Sequence, residues 1–446
     1  MAKSGIGKYF NPAIRQVVRP LDEFIQLEQS SGIILLACSL ISLSIANSPF
    51  SGEYLLLWDT PMTLIVGDFK LSKSAAHFIN DGLMAIFFLL VGLEIKREVL
   101  EGQLSSFRKA LLPMIAALGG MLVPAVLFTA FNGGSTFESG WGIPTATDIA
   151  FSLAVISLLG NRVPPALKVF LAALAIVDDL GAVIVIALFY TADIQLDYLY
   201  LAGLAFVVLL ILSVAQVRWL AIYLLVGVFL WYYMLKSGVH ATIAGVLLAL
   251  TIPFKTEYNK KQLLLLIEER LAVVKENLQS TEVKPRDITE ELEDITNETS
   301  SPSQVIENQL HGIVAFGIMP IFALCNTGVL LDTSVIGGIK EPLGLGIILG
   351  LCLGKPLGIF FFSWLAIKLK MAALPDHVSW LHLLGAGILA GIGFTMSIFI
   401  TLLAFPNNMQ VEDIAKLAII VASVVSGVVG YLFLRFVPKP THLENY

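Results

Sequence analysis

Long apolar runs punctuated by short polar breaks occupy most of the chain from residue 31 to residue 436. Twelve runs stand out, at about 31–48, 76–95, 110–131, 142–160, 167–190, 197–215, 218–235, 239–254, 310–331, 343–367, 380–404 and 414–436. Most have the length that a helix rising 1.5 Å per residue needs to cross a bilayer core of about 30 Å. The pattern predicts an all-α polytopic membrane protein forming one integrated domain over 1–446, with about twelve transmembrane helices. Two stretches depart from it. Residues 62–72, MTLIVGDFKLS, predict two short strands around Gly67 and Asp68, an external β-hairpin. Residues 255–306 form an acidic insert between the eighth and ninth spans, with seven positive and eleven negative charges. Its first part spaces Leu264, Ile267, Leu271, Val274 and Leu278 as an amphipathic helix, and its later part has the composition of a disordered segment.

Composition agrees with the pattern. The chain is 57% hydrophobic and 14% charged, where soluble domains carry about a quarter charged residues. Twelve spans with a cytoplasmic N-terminus would put 22 of the 28 Lys and Arg residues in cytoplasmic segments and five outside, leaving only Lys355 within a span. Both termini are therefore expected in the cytoplasm. The first apolar run follows about thirty mixed-charge residues and reads as an ordinary first helix, with no need of a cleaved leader. Cys38, Cys325 and Cys352 lie in apolar segments, where buried thiols are expected. No HExxH spacing and no P-loop occur, which disfavours a nucleotide-driven pump.

The charges that interrupt the apolar runs carry the chemistry. Asp178 and Asp179 stand at the middle of VFLAALAIVDDLGAVIVIALFY, residues 169–190. Two central aspartates cost about 5–7 kcal/mol on an insertion scale, comparable to the total gain from the apolar side chains around them. The span therefore needs internal partners. Adjacent helical residues point about 100° apart, so one carboxylate can face a cavity while the other meets a neighbouring helix. Two candidate partners lie in other spans: Lys355 in IILGLCLGKPLGIFFFSWLA, and Asp148 in GWGIPTATDIAFSLAVISLLG. Pro144 with Thr145 and Thr147 predicts a local interruption of the fourth span. Gly385, Gly387, Gly391 and Gly393 ahead of Thr395 and Ser397 predict a second in the eleventh. Intramembrane ionisable groups are functional by default. Desolvation disfavours a bare anion, so a buried carboxylate takes up either a proton or a small hard cation, and the two compete for one site.

The run from Ile143 to Thr191 resembles the NhaA-type sodium/proton antiporters, and so do HFINDGLMAIFFLLVGLEIKREVLEG, LKSGVHATIAGV, LGKPLGIF and GIGFTMSIFI. The likeness covers nearly all of 11–438 outside the insert. The two interruptions sit in the middle span of the groups 3–5 and 10–12, which points to an ion site between inverted repeats, a rule drawn in part from the NhaA antiporters themselves. The resemblance implies two interrupted helices crossing at mid-membrane. It makes Asp179 the principal cation ligand and proton carrier, with Asp178 pairing with Lys355. Asp148 and Thr147 would lie at the crossing, with Asp148 offsetting the positive helix N-termini and Lys355 the negative C-termini. It further implies pH sensing by Glu94, Arg97, Glu98 and Glu307, although Asn308 and Gly312 depart from the family pattern. His240 could also titrate, or serve as a structural hydrogen-bonder. Electrogenic extrusion of sodium or lithium against incoming protons is implied, in a bacterial inner membrane. So are the absence of an enzymatic activity, cofactor or nucleic-acid partner, and a homodimer formed through the hairpin within the membrane lipid.

Rival readings remain at this level. A lysine with aspartate counter-ions suits a retinal-binding pump, but such pumps have seven spans in about half this length. Two membrane aspartates suit an intramembrane protease, but the GxGD signature is absent. A symporter or channel on the same fold is the stronger rival, and the paired interruptions favour alternating access. The insert reads as a solvated linker with a surface helix, or as a regulatory element. Deleting 262–300 and recording the pH dependence of transport separates the two: an unchanged profile is the result expected of a linker, an altered one that of a regulator.

Overall fold

The computed structural model describes residues 30–66, 69–191, 194–254, 301–406 and 408–438. The insert from 255 to 300, with its expected amphipathic helix, and the Gly67–Asp68 turn lie outside the described residues, as do both termini. Apolar runs become helices because a chain surrounded by hydrocarbon must satisfy its backbone N–H and C=O groups internally. Eight described helices are long and apolar enough to cross a membrane: α1 (Ala75–Leu100), α2 (Phe107–Asn132), α3 (Pro165–Phe189), α4 (Leu196–Val214), α5 (Leu220–Ser237), α6 (Pro302–Asn326), α7 (Pro342–Lys368) and α8 (Met409–Phe436). Two bent pairs raise the number to ten, Ser30–Ala46 with Ser51–Asp59 and Trp380–Ala390 with Phe394–Ala404.

The twelve expected spans are therefore not twelve continuous helices. Residues 142–160 divide into a tight three-residue-per-turn segment, Glu138–Thr145, and a nine-residue helix, Ile149–Ser157. Residues 239–254 yield only the nine-residue helix Ile243–Thr251. Gly238 ends the preceding helix in a left-handed conformation (φ 85°), and the chain then turns through His240 to Thr242 before helix resumes. The cysteines are half-buried rather than buried.

The chain divides into two compact units. The first comprises Met1–Met84, Glu98–Thr191 and Ala315–Tyr446. Within it α2 and α7 cross at glycines. A Cβ placed on Gly358 would stand 2.1 Å from the Gly119 carbonyl oxygen, and one on Gly119 would stand 2.4 Å from that of Gly358. Gly120 faces Ile359 and the Lys355 side chain at the same crossing. Just before Lys355, α7 widens into a π-type turn over Gly350–Gly354, a distortion that often marks functional positions. Antiparallel strands Pro61–Val66 and Phe69–Ser74 form a two-stranded sheet in register Pro61↔Ser74, with Thr63 and Ser72 hydroxyls 2.9 Å apart. Large apolar side chains such as Val126, Leu188 and Phe436 are exposed on the helix faces, as expected of surfaces turned to lipid tails.

The second unit comprises Ala85–Arg97 and Ala192–Val314. Its described helices pack around Leu93, Leu209, Tyr223, Leu230, Leu248 and Ile252. Gly245 and Gly92 allow the 85–97 stretch to lie directly on the 243–251 helix, since a Cβ on Gly245 would stand 2.2 Å from the Ala85 carbonyl oxygen.

Backbone contact at the α2–α7 crossing leaves no room for a methyl group. Gly358→Ala is expected to lower the thermal midpoint of the detergent-solubilised protein, with an overpacking cost of about 1–3 kcal/mol. A midpoint equal to wild type would contradict a crossing this close.

Candidate functional site

Two interruptions in the first unit touch each other. In the first, Glu138–Thr145 ends at Thr145, Ala146–Asp148 runs extended, and Asp148 caps the helix Ile149–Ser157 by accepting the Phe151 N–H at 2.9 Å. In the second, Trp380–Ala390 stops, Gly391–Gly393 intervenes, and Phe394–Ala404 departs at a 46° bend. The Asp148 N–H donates to the Ile392 carbonyl at 2.7 Å, joining the two breaks directly. Ser397 donates to the Ile143 carbonyl at 2.8 Å.

Each break frees backbone groups at helix ends, and several of them meet side chains across the junction. Asp148 serves both N-termini. Besides Phe151, its carboxylate accepts from the Thr395 N–H at 3.2 Å and from the Thr395 hydroxyl at 2.5 Å. A negative group at two helix N-termini opposes the partial positive charge of both. The Phe394 N–H donates to the Ser423 hydroxyl at 3.1 Å. On the carbonyl side, Lys355 Nζ donates to the Thr145 oxygen at 2.5 Å. The Ala390 carbonyl lies instead 3.1 Å from the Thr147 hydroxyl. The resemblance implied that the ammonium would offset both C-terminal ends. It meets one, and a threonine hydroxyl meets the other.

The aspartate pair stands beside this junction on α3, whose backbone continues unbroken through it. Lys355 Nζ lies 2.7 Å from Asp178 Oδ2, and both side chains are fully buried. Thr147 Oγ1 is also 2.7 Å from Asp178 Oδ2. Because a hydroxyl has one proton, Thr147 can serve either Asp178 or the Ala390 carbonyl at a given moment. Asp178 Oδ1 makes no hydrogen bond to the described residues. Asp179 is equally buried. The structure thus gathers Asp178, Asp179, Asp148, Thr147 and Lys355 in one unit. Among the described residues no three His, Cys, Asp or Glu side chains converge as a metal cage. A cation held here would take carboxylate oxygens together with carbonyl oxygens of the breaks, an oxygen-only set suited to a small hard ion.

Three of the residues implicated in pH sensing meet in the second unit. Arg97 pairs with Glu307, which is almost fully buried. Glu94 lies 3.9 Å from His311. Lys96, beside them in sequence, donates to the Leu250 carbonyl at 2.8 Å and to that of Ile252, closing the C-terminal end of the 243–251 helix. His240 sits in the turn at the opposite end of that nine-residue helix. In the first unit, Glu98 accepts the Gln103 N–H at 2.8 Å.

Sequence reasoning missed Ser423, the Thr145 carbonyl and the Lys96 cap. For Ser423 a signal existed in the small residues Ser423, Ser426, Gly427 and Gly430 along the last helix, which let it approach the second break. A Cβ on Gly391 would stand 2.8 Å from Ser426 Oγ. For a backbone carbonyl no side-chain signal exists.

Comparison with known proteins adds an independent line. Residues 22–434 match the family model described as Na+/H+ antiporter 1. The chain is 48% identical over 428 residues to the Na(+)/H(+) antiporter NhaA of Oleidesulfovibrio alaskensis, covering 95% of each chain. It is 46% identical over 427 residues to the NhaA of a Helicobacter pylori strain, covering 95% of this chain and 97% of the relative. With the NhaA of Flavobacterium psychrophilum the identity is 45% over 423 residues, again 95% and 97% of the two chains.

The buried pair gives a stability test. Lys355→Met leaves Asp178 without its ammonium, and breaking a buried ion pair from one side costs about 3–5 kcal/mol. Thermal unfolding is expected to show that loss, and the double variant with Asp178→Asn to recover most of it. A single variant as stable as wild type would contradict the pairing.

Proposed function

The chain belongs to the Na+/H+ antiporter 1 family, and from that premise we propose how its residues exchange sodium for protons. The protein is a sodium/proton antiporter, a transporter spanning the membrane several times. The observation that carries the mechanism is the side-by-side burial of Asp178 and Asp179 against two broken helices, with Lys355 in ion-pair contact with Asp178.

Asp179 is the principal carrier in this reading. Buried as it is, its carboxylate holds a proton or helps ligate a sodium ion, since burial disfavours the bare anion. Sodium arriving at the pair draws on Asp178 as a second oxygen donor, and Lys355 gives up its hold on Oδ2. Thr147 is suited to follow, since its proton can turn from Asp178 to the Ala390 carbonyl. Loss of the cation reverses each step, and protons return. The junction that Asp148 and Thr395 build stays neutralised throughout, so only the carrier carboxylates change charge. More protons enter than sodium ions leave, which makes the exchange electrogenic and driven by the proton gradient. Lithium, smaller and also hard, is the expected alternative cargo.

Further parts of the reading concern the whole molecule. The interrupted helices cross at mid-membrane between inverted repeats, and both termini face the cytoplasm of a bacterium. The 61–74 sheet serves as the surface through which two copies associate. Glu94, Arg97, Glu98 and Glu307 form the pH-sensing group that the family likeness assigns, and within it Arg97 and Glu307 are paired.

Everted membrane vesicles carrying a respiration-driven pH gradient test the proposal. Added sodium is expected to collapse the gradient for wild type and to leave it intact for Asp179→Asn. If no cation moves protons at any pH, antiport through this site is refuted. If Asp179→Asn transports like wild type, the carrier lies elsewhere.

A further inference from the structure

Hydrogen bonds hold the first interrupted helix to α3 at two levels. At one level they meet charge. Thr147 Oγ1 lies 2.7 Å from Asp178 Oδ2, and Lys355 bridges Asp178 to the Thr145 carbonyl. At the other level both partners are neutral. The hydroxyl of Tyr190, the residue that follows the last turn of α3, donates to the Ser139 carbonyl at 2.7 Å. The end of its ring lies on the Glu138–Thr145 segment, where a Cβ on Gly142 would stand 2.8 Å from Tyr190 Oη and 3.4 Å from Cε2. The neighbouring Trp141 and Phe189 rings meet edge to face, with centroids 5.0 Å apart.

The two levels agree in spacing. Tyr190 stands twelve residues beyond Asp178, about 18 Å along an α-helix. From Ser139 to Thr145 a three-residue-per-turn helix rises about 12 Å, and two extended residues to Thr147 add about 6 Å. The segment therefore runs antiparallel to α3 and is fastened to it at both ends. It is also tied to the second interrupted helix. Ser139 Oγ donates to the Ala404 carbonyl at 3.1 Å, at the C-terminal end of Phe394–Ala404, as Ser397 does to Ile143 nearer the junction. The two fastenings on α3 differ in what can undo them. Bonds to Asp178 change when its carboxylate takes a proton or a cation. A phenol ionises only near pH 10, so its bond to a peptide carbonyl is indifferent to both near neutrality.

We propose that Tyr190 is the fixed anchor of the first interrupted helix, a positioning residue that keeps the Thr145 carbonyl within reach of Lys355 while Asp178 changes partners. Lys355 can leave Asp178 without being stranded only if that carbonyl is in place. A segment loosened at Ser139 holds Thr145 less well, and Lys355 then competes more strongly with an arriving cation for Asp178. This consequence rests on the exchange reading above, whereas the anchor itself does not.

Two measurements on the full chain test the proposal. Thermal midpoints of detergent-solubilised wild type, Gly142→Ala, Tyr190→Phe and the double variant form a double-mutant cycle. Gly142→Ala is expected to lower the midpoint of wild type by pressing on the hydroxyl, and to lower it less in Tyr190→Phe, where that oxygen is gone. Equal losses in the two backgrounds overturn the anchor. Sodium/proton exchange in everted vesicles reads the positioning. Tyr190→Phe is expected to raise the sodium concentration for half-maximal exchange severalfold and to keep the maximal rate per folded protein. An unchanged half-maximal concentration, with or without a lower rate, means that the hydroxyl serves stability alone and overturns the positioning. Absent exchange by wild type would strike instead at the antiport reading and leave the anchor to be judged by the midpoint cycle.

Discussion

Where a helix is interrupted away from water, its freed N–H and C=O groups must be met by other protein atoms, and here that requirement organises the whole first unit. The two breaks meet, so one carboxylate can serve both. Asp148 takes the N–H of Phe151 on one side and the N–H and hydroxyl of Thr395 on the other, while its own N–H ties it to Ile392. Removing this side chain would leave two helix N-termini short of acceptors at once. The carbonyl ends are handled less symmetrically, by Lys355 at Thr145 and by Thr147 at Ala390.

That asymmetry bears on function. Lys355 and Thr147 each divide their attention between a backbone carbonyl and Asp178 Oδ2. Neither need be stranded when Asp178 takes a cation or a proton, because each has a carbonyl to fall back on. A buried charge pair is often a poor contributor to stability, since desolvation offsets the attraction. A pair with alternative partners on both sides is better understood as a device for changing occupancy at low cost. The close glycine crossing of α2 and α7 holds Lys355 at the right depth for this.

The chain's chemistry was legible early because charge inside hydrocarbon is conspicuous. Asp178, Asp179, Asp148 and Lys355 are the groups that interrupt otherwise apolar runs, and Pro144 and the 385–393 glycines marked the breaks. What apolar periodicity could not resolve was how each run divides. Hydropathy is blind to the difference between an α-helix and the tight turns of Glu138–Thr145, which bury equally well. It also counts Val239 to Thr242 into the eighth run, whereas the chain turns there after the left-handed Gly238 and only nine residues are helical. The π-type turn before Lys355 costs no change in composition and leaves no trace in the sequence. Backbone acceptors such as Thr145 and Ala390 are hidden for the same reason.

The central claim is that sodium and protons compete for one carboxylate site. Calorimetric titration of the purified protein with sodium, repeated across pH in buffers of different ionisation enthalpy, measures that competition without any membrane gradient. The account predicts that binding releases protons and that, in the acidic range, apparent affinity falls about tenfold for each unit by which the pH is lowered, per proton displaced. Sodium binding of constant affinity across pH, with no proton released, would contradict it.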